Sequence, residues 1–581
     1  MSFAANTQLG ENGHPEYSWA ELTKDRIVQF HFQCTRTDDN GVFRLRMLLN
    51  KLLSELKQNL SVFNVERNEA ETLLSILYKM IGYTRDIIDG KGECTLTYMM
   101  IREWYNFYPN LALFALDCLV DLGDKNTHPY GSWKDIKYFC KYCREQGDSF
   151  QNPLLRHCIF LLNDQLRSDY NNCTEESNDI TLVSKWIPRE KSSFGWMYEV
   201  LATQYFNNYM ESCKNDDSKK RAILKCKTQY RSILATLNKR IDTLQIKQCT
   251  QRWADIDFKK VTSISMTNQR NAFLNVDKRD TKKVRFFHED RVQCAANYKE
   301  HIEKSVRTGV EVNGKRVSMV SFTKQALQIL DRLYFDDNDN EIVEIEKKSL
   351  NSQWRDNSSQ TRTLGKMVAM VDVSGSMEGD PINVAIALGV RIAEKSVLGK
   401  RVMSFSKTPE WVDLSSGEDF VSQVEILKKS DNWGMNTNFY AALDMILEEI
   451  QEKNLSKTDV EDMVLVILSD MQIDAGDNSD KRVMYEVMQC KYAEAGMRIC
   501  GEPYSPPHIL FWNLKNRADG FLCLSSEPNV SMMSGFSPAL LNMFCEQGME
   551  ALKDCTPFNM LEKSLNGERY KILNDKFFME I

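Results

Sequence analysis

The chain has 581 residues, of which 42% are hydrophobic and 27% charged; this supplies packed cores, excludes bulk disorder and suits about three to five domain-sized units. Its 74 Lys and Arg against 81 Asp and Glu leave a net charge of −7, which argues against a protein that coats nucleic acid with its whole surface. Residues 1–14 form a polar tail without the apolar stretch of a signal peptide, no run of ~18 apolar residues could span a membrane, and sixteen dilute cysteines read as reduced thiols of a cytoplasmic protein.

Residues 15–334 read as helix after helix. Ala70, Leu73, Leu74, Leu77 and Ile81 recur on one helical face, as do Leu155, Cys158, Ile159, Leu162 and Leu166. Asn152-Pro153 before the second run supplies an N-cap and a first-turn proline. Turn clusters such as Asp89-Gly90-Lys91-Gly92 separate the helices. Short connections and little strand signal predict an all-α, HEAT-like helical-repeat array. Cys140 and Cys143 form a C-x-x-C pair without a second pair at zinc spacing, so two buried thiols are expected. Gly90-Lys91-Gly92 lacks the frame of a phosphate-binding loop.

Between residues 201 and 320 there are 25 Lys and Arg against 13 Asp and Glu, a local excess of 12 positive charges. Lys219, Lys220 and Arg221 form one cluster; Lys282, Lys283 and Arg285 form another beside Phe286 and Phe287. Cations next to aromatics suit RNA phosphates and stacked bases. The competing reading is a set of solvated helix faces paired with the acids of the same segment.

Residues 335–365 are expected to be a linker, because Asn351 to Lys366 is polar and lacks helical periodicity. The acidic run Asp336–Asn340 fails as an EF-hand loop, since Glu341 and Lys347 stand where glycine and glutamate are required. From 366 to 581 strands alternate with helices: strands at 367–371, 401–406, 411–414, 463–468, 509–512 and 521–524, and helices at 381–396, 438–450 and from Pro538. Strands that read as apolar on both faces predict a doubly wound α/β domain.

Ligands of open α/β sheets bind at the carboxyl ends of strands. The first strand ends in Asp372-Val373-Ser374-Gly375-Ser376, the loop before the 438–450 helix offers Thr437, and the 463–468 strand runs into Ser469-Asp470. Hard oxygens at Asp372, Ser374, Ser376, Thr437 and Asp470 suit Mg²⁺ or Mn²⁺. The bland alternative makes Asp372 and the serines turn formers, although Asp380 before Pro381 already offers a helix cap. A serine-hydrolase reading lacks both the nucleophile-elbow pattern and a nearby histidine. Asp474, Asp477 and Asp480 read as an exposed turn.

The D-x-S-x-S run, Thr437 and Asp470 together resemble a von Willebrand factor A (vWA) domain with a metal-ion-dependent adhesion site. The resemblance implies that Ser374 and Ser376 ligate the ion directly, that Thr437, Asp372 and Asp470 act directly or through water, and that a partner protein's carboxylate completes the shell. Arg85-Asp86 with Asp89-Gly90-Lys91-Gly92-Glu93, Gly131-Ser132-Trp133-Lys134-Asp135 and Trp186-Ile187-Pro188 resemble motifs of the TROVE helical module, in the domain order of Ro-type proteins. The stretches Asp372–Met377, Trp433–Thr437 and Ser469–Gln472 are most similar to a family of unassigned function in plants, fungi and large DNA viruses. The resemblance implies a non-catalytic RNA-binding or ribonucleoprotein scaffold; the alternative is a protein–protein assembly factor that binds no RNA. Neither half offers a catalytic constellation.

Overall fold

In the computed structural model, residues 7–10, 12–61, 65–277, 283–335, 341–405, 408–429, 438–472, 482–516, 520–547, 552 and 555–581 are described. The N-terminal part is helical: α1 Thr23–Gln33, α2 Asp39–Leu60, α3 Val65–Arg85, α4 Cys94–Phe107, α5 Pro109–Asp117, α6 Trp133–Glu145 and α7 Pro153–Thr174 lead into further helices, the longest being Asp216–Ile241. Asn152 caps α7 as its sequence predicts, accepting from the Leu154 amide at 2.9 Å. Ser132 and Asp135 form a capping box on α6. A short helix, Val183–Trp186, ends at Trp186, two residues before Pro188.

Residues 7–14 are more than a tail. β1 (Thr7–Leu9) pairs antiparallel with β2 (Pro15–Tyr17), and Tyr17 exchanges backbone hydrogen bonds with Phe521 at 2.8 and 2.9 Å. That exchange is all that remains of the strand expected at 521–524, which is otherwise irregular.

The C-terminal part carries a six-stranded mixed sheet, ordered β5 (Glu410–Asp413), β4 (Arg401–Phe405), β3 (Met367–Asp372), β6 (Val464–Ser469), β7 (His508–Asn513) and β8 (Val530–Ser534). All neighbours are parallel except the edge pair β4–β5. Every residue of β3, β6, β7 and β8 is buried, which explains the continuous apolar runs within β3, β6 and β7. Crossovers leave β3 toward β4 and β6 toward β7 in opposite directions, so right-handed connections place helices on both faces. Helix Asp380–Lys395 lies close on β3: a Cβ at Gly389 would come within 2.5 Å of Val371 Cγ2.

The expected linker is a correction. Residues 341–358 form a helix, Glu341–Ser358, with buried Asn351, Ser352, Gln353 and Asn357. Their polarity serves internal hydrogen bonds. Asn357 Nδ2 donates to the carbonyls of Gly314, Lys315 and Val317, and its Oδ1 accepts from Arg391 at 2.9 Å. Arg391, fully buried in helix Asp380–Lys395, stacks its guanidinium 4.3 Å from the Trp354 ring, and burial lowers its ionisation to about 10. The acidic run 336–340 lies outside the described residues.

One hydrophobic core runs through both parts, from Ile27 of α1 to Phe577. A second, smaller core gathers Phe258, Phe273, Cys294, Tyr298, Ile302 and Ile345. The halves are welded at polar contacts as well. Asp86, fully buried, accepts a two-pronged pair from Arg569 at 2.7 Å for each bond. Lys91 Nζ donates to the His31 and Cys34 carbonyls, both at 2.9 Å, and to Ser534 Oγ at 2.6 Å. All three ammonium protons are thereby used at the carboxyl end of α1, where cations are favoured; burial lowers the Lys91 ionisation to about 8. All sixteen cysteines are free, and Cys140 and Cys143 are buried thiols within α6.

Candidate metal centre

The strand order places β3 and β6 side by side as the two strands from which the sheet grows in opposite directions. Such a reversal opens a crevice beyond the carboxyl ends of the two strands. Asp372 is the last residue of β3, and Asp470 directly follows β6. Both are fully buried.

Three neighbouring strand ends use one local device. Asp372 Oδ1 accepts from the Ser374 amide at 2.9 Å, Asp470 Oδ1 from the Gln472 amide at 3.3 Å and Asn513 Oδ1 from the Lys515 amide at 3.0 Å. These Asx-type turns swing the chain off each strand end. Turn formation and ion binding are therefore compatible, because the turn engages one oxygen. Ser469 Oγ donates to Asp372 Oδ2 at 2.6 Å across the two strands. Ser374 Oγ and Ser376 Oγ lie 3.0 Å apart. Met471, directly after Asp470, sits at φ 63°, a strained conformation for a bulky side chain.

Burial, and then the nearby Asp470 charge, push the Asp372 carboxyl up to about 7, against the opposing hydrogen bonds from Ser374 and Ser469. Lys515 Nζ lies 3.9 Å from Asp470 Oδ2 and donates to the Ser376 carbonyl. Two buried acids with two hydroxyls close by form a hard-oxygen set with too little positive charge of its own, which suits a divalent cation. Among the described residues no group of three or more His, Cys, Asp and Glu side chains is arranged to hold a metal ion; the carboxylate–hydroxyl set is of a different composition.

Of the five predicted ligands, the fold gathers Asp372, Ser374, Ser376 and Asp470 at one crevice, while Thr437 lies outside the described residues. Asp474, Asp477 and Asp480 lie outside them too. Ser469 and Lys515 were missed by sequence reasoning. Ser469 was legible as a hydroxyl at a strand end; Lys515 required knowing that β7 ends beside β6. Asp380 does not cap its helix, whose cap position is Gly379; it pairs instead with Lys324 at 2.6 Å.

The basic residues divide between two places. Lys219, Lys220 and Arg221 stand exposed near the start of helix Asp216–Ile241, with no ion pair among the described residues. Farther along, Lys227 and Arg231 pair with Glu190, so part of the positive excess is neutralised as a solvated helix face. Lys283 and Arg285 are exposed, Phe287 is 87% exposed, and Arg285 lies 5.1 Å from the Phe286 ring centre. Lys282 lies outside the described residues. No helix among the described residues is long and apolar enough to cross a membrane.

Two family models match adjacent parts of the chain: "Domain of unknown function (DUF2828)" over residues 146–367 and "Domain of unknown function (DUF7788)" over residues 366–575. The junction falls at the start of β3. Along nearly its whole length the chain is similar to "Uncharacterized protein L728" of Acanthamoeba polyphaga mimivirus, 26% identical over 588 residues, covering 99% of this chain and 89% of the relative. These similarities fit a family of unassigned function that reaches into large DNA viruses.

Proposed function

We propose that the protein is a non-catalytic scaffold whose α/β domain, of vWA type, binds Mg²⁺ or Mn²⁺ at the crevice between β3 and β6 and there docks a carboxylate of a protein partner. The observation that carries this reading is the fully buried pair Asp372 and Asp470 at the adjoining ends of β3 and β6, beside the Ser374 and Ser376 hydroxyls, where burial first and the Asp470 charge second raise Asp372 to about 7. Asp372, Ser374, Ser376 and Asp470 would hold the ion, with Thr437 as the fifth ligand that the resemblance implies. A bound cation supplies charge neutralisation and a Lewis-acidic position for an incoming carboxylate. Calorimetry with Mn²⁺ tests it. Wild type should take up one ion and Asp470→Asn none, with circular dichroism unchanged; equal uptake by both refutes the site.

RNA binding is proposed as a second property of the scaffold, of the TROVE-like kind. It rests on the exposure of Lys219, Lys220 and Arg221, which form no ion pair among the described residues, and on Lys283 and Arg285 beside exposed Phe287. Phosphate contact and base stacking are the chemistry available there. A gel shift with single-stranded and hairpin RNA near physiological salt decides it, and no binding at micromolar protein would leave the assembly-factor reading.

A further inference from the structure

At the end of the sheet opposite the carboxylates, a cavity of about 210 Å³ opens beside the first residues of β3 and β6. Its walls are mainly aliphatic, with Val368, Leu398, Ile446, Ile450, Val460 and Leu465. Polar groups interrupt them on one side. Arg401 pairs with Glu449 at 3.0 Å and lies 4.9 Å from the Trp411 ring centre, and Lys453 also pairs with Glu449. These four residues and Tyr492 line the same cavity.

Three of the lining side chains carry a buried polar atom with no hydrogen-bond partner among the described residues: Arg401 Nε, Trp411 Nε1 and Tyr492 Oη. Tyr492 is fully buried, and burial raises its ionisation, so it is a phenol with a proton to donate. Guanidinium and indole N–H groups only donate. The three therefore share one need, an acceptor. A buried donor without one is destabilising, because it has given up its hydrogen bond to water. Two cations against one carboxylate make the polar side net positive, which favours an anionic acceptor. For size, a cavity of about 150 Å³ holds benzene; at the same ratio this one holds about eight carbons.

We propose that this cavity is a binding site for a small amphipathic carboxylate, its aliphatic body of about eight carbons among Val368, Ile446 and Leu465 and its head group at Arg401 and Trp411. The site is separate from the metal reading, since Val368 of the cavity and Asp372 lie four residues apart along β3, about 13 Å at 3.3 Å per residue.

Titration calorimetry on the full chain tests the proposal with three probes: octanoate, 1-octanol and butyrate. Octanoate should bind with a dissociation constant on the order of 0.1 mM, octanol about tenfold more weakly and butyrate not detectably. Arg401→Gln should weaken octanoate about tenfold and leave octanol unchanged. Ile446→Trp, which fills the cavity, should abolish octanoate binding; thermal unfolding shows whether this variant folds, and if it does not, the probe series and Arg401→Gln decide alone. Asp372→Asn should bind octanoate as wild type does. Octanoate binding no tighter than octanol, no binding at all, or binding indifferent to Arg401→Gln overturns the assignment.

Discussion

Replacing Asp372 by Asn separates a carboxylate held ready for a cation from one that only shapes a turn, because the two roles predict stability changes of opposite sign. Asn retains an oxygen to accept from the Ser374 amide, so the turn survives. What it loses is the charge that burial and Asp470 oppose. Displacing the carboxyl from the ordinary 3.8 to about 7 corresponds to about 4 kcal/mol, at about 1.4 kcal/mol per pKa unit. The folded protein then holds this proton more tightly than the unfolded chain does. Its contribution to stability is full below about pH 3.8 and is lost as pH rises through about 7. In EDTA at pH 8, Asp372→Asn should therefore be more stable than wild type by about 3 kcal/mol, allowing about 1 kcal/mol for the poorer contact with Ser469. Near pH 4.5 the two should agree within about 1 kcal/mol. Mg²⁺ at a hundredfold excess over its dissociation constant should add about 2.7 kcal/mol to wild type at pH 8 and nothing to the variant. Guanidinium unfolding at both pH values, with and without Mg²⁺, reads all four quantities. A variant equally destabilised at both pH values, with Mg²⁺ stabilising it as it does wild type, would reduce Asp372 to a turn residue.

Lys515→Gln removes a charge 3.9 Å from Asp470; that separation is worth about 4 kcal/mol at an effective dielectric constant of about 20, reduced by solvent around the partly exposed ammonium, so Mg²⁺ affinity should rise at least about tenfold by calorimetry. Arg569→Ala strands the buried Asp86 carboxylate and should cost about 3–5 kcal/mol in chemical unfolding, with Arg569→Lys recovering only part of it, because a single ammonium replaces a two-pronged pair. Replacing Lys219, Lys220 and Arg221 by Ser should lower the salt dependence of RNA binding, on a log–log scale, by about 0.7 for each phosphate that is no longer neutralised; an unchanged slope in filter binding would show that this cluster does not touch the RNA backbone.

How much of this was legible in the sequence follows from where each signal resides. β3, β6 and β7 announced themselves because a strand buried on both faces has no choice but continuous apolar residues, and Asp372 and Asp470 then followed from the rule that such strands present their ligands at the carboxyl end. Helix Glu341–Ser358 was misread because its polar residues are satisfied inside the protein: Asn357 bonds three carbonyls and Arg391, and composition alone cannot tell an internally bonded asparagine from a solvated one. Lys515 and Ser469 are contributed across the sheet, and only the strand order brings them to Asp470 and Asp372.

The same distinction bears on where RNA could touch this chain. Four residues of the first stretch of the TROVE resemblance are used by the fold itself: Arg85 pairs with Asp135 through bonds of 2.7 and 2.9 Å, Asp86 with Arg569, Lys91 with two carbonyls and Ser534, and Glu93 with Arg36. Arg85, Asp86, Lys91 and Glu93 are all buried. A buried and paired cation has no capacity left for a phosphate, so Arg85 and Lys91 of this first stretch offer no contact of their own, whereas Lys134 of the second stretch is exposed. The contact proposed for RNA therefore falls to exposed side chains such as Lys219, Lys220, Arg221 and Arg285, whose charge faces solvent. Because two of those motif residues are completed by Arg569 and Ser534 of the C-terminal part, the helical half cut off before residue 366 would leave Asp86 and Lys91 without those partners. The two halves therefore pack as one body, and one core, with these hydrogen bonds, joins the part that carries the proposed metal site to helix Asp216–Ile241, proposed to contact RNA.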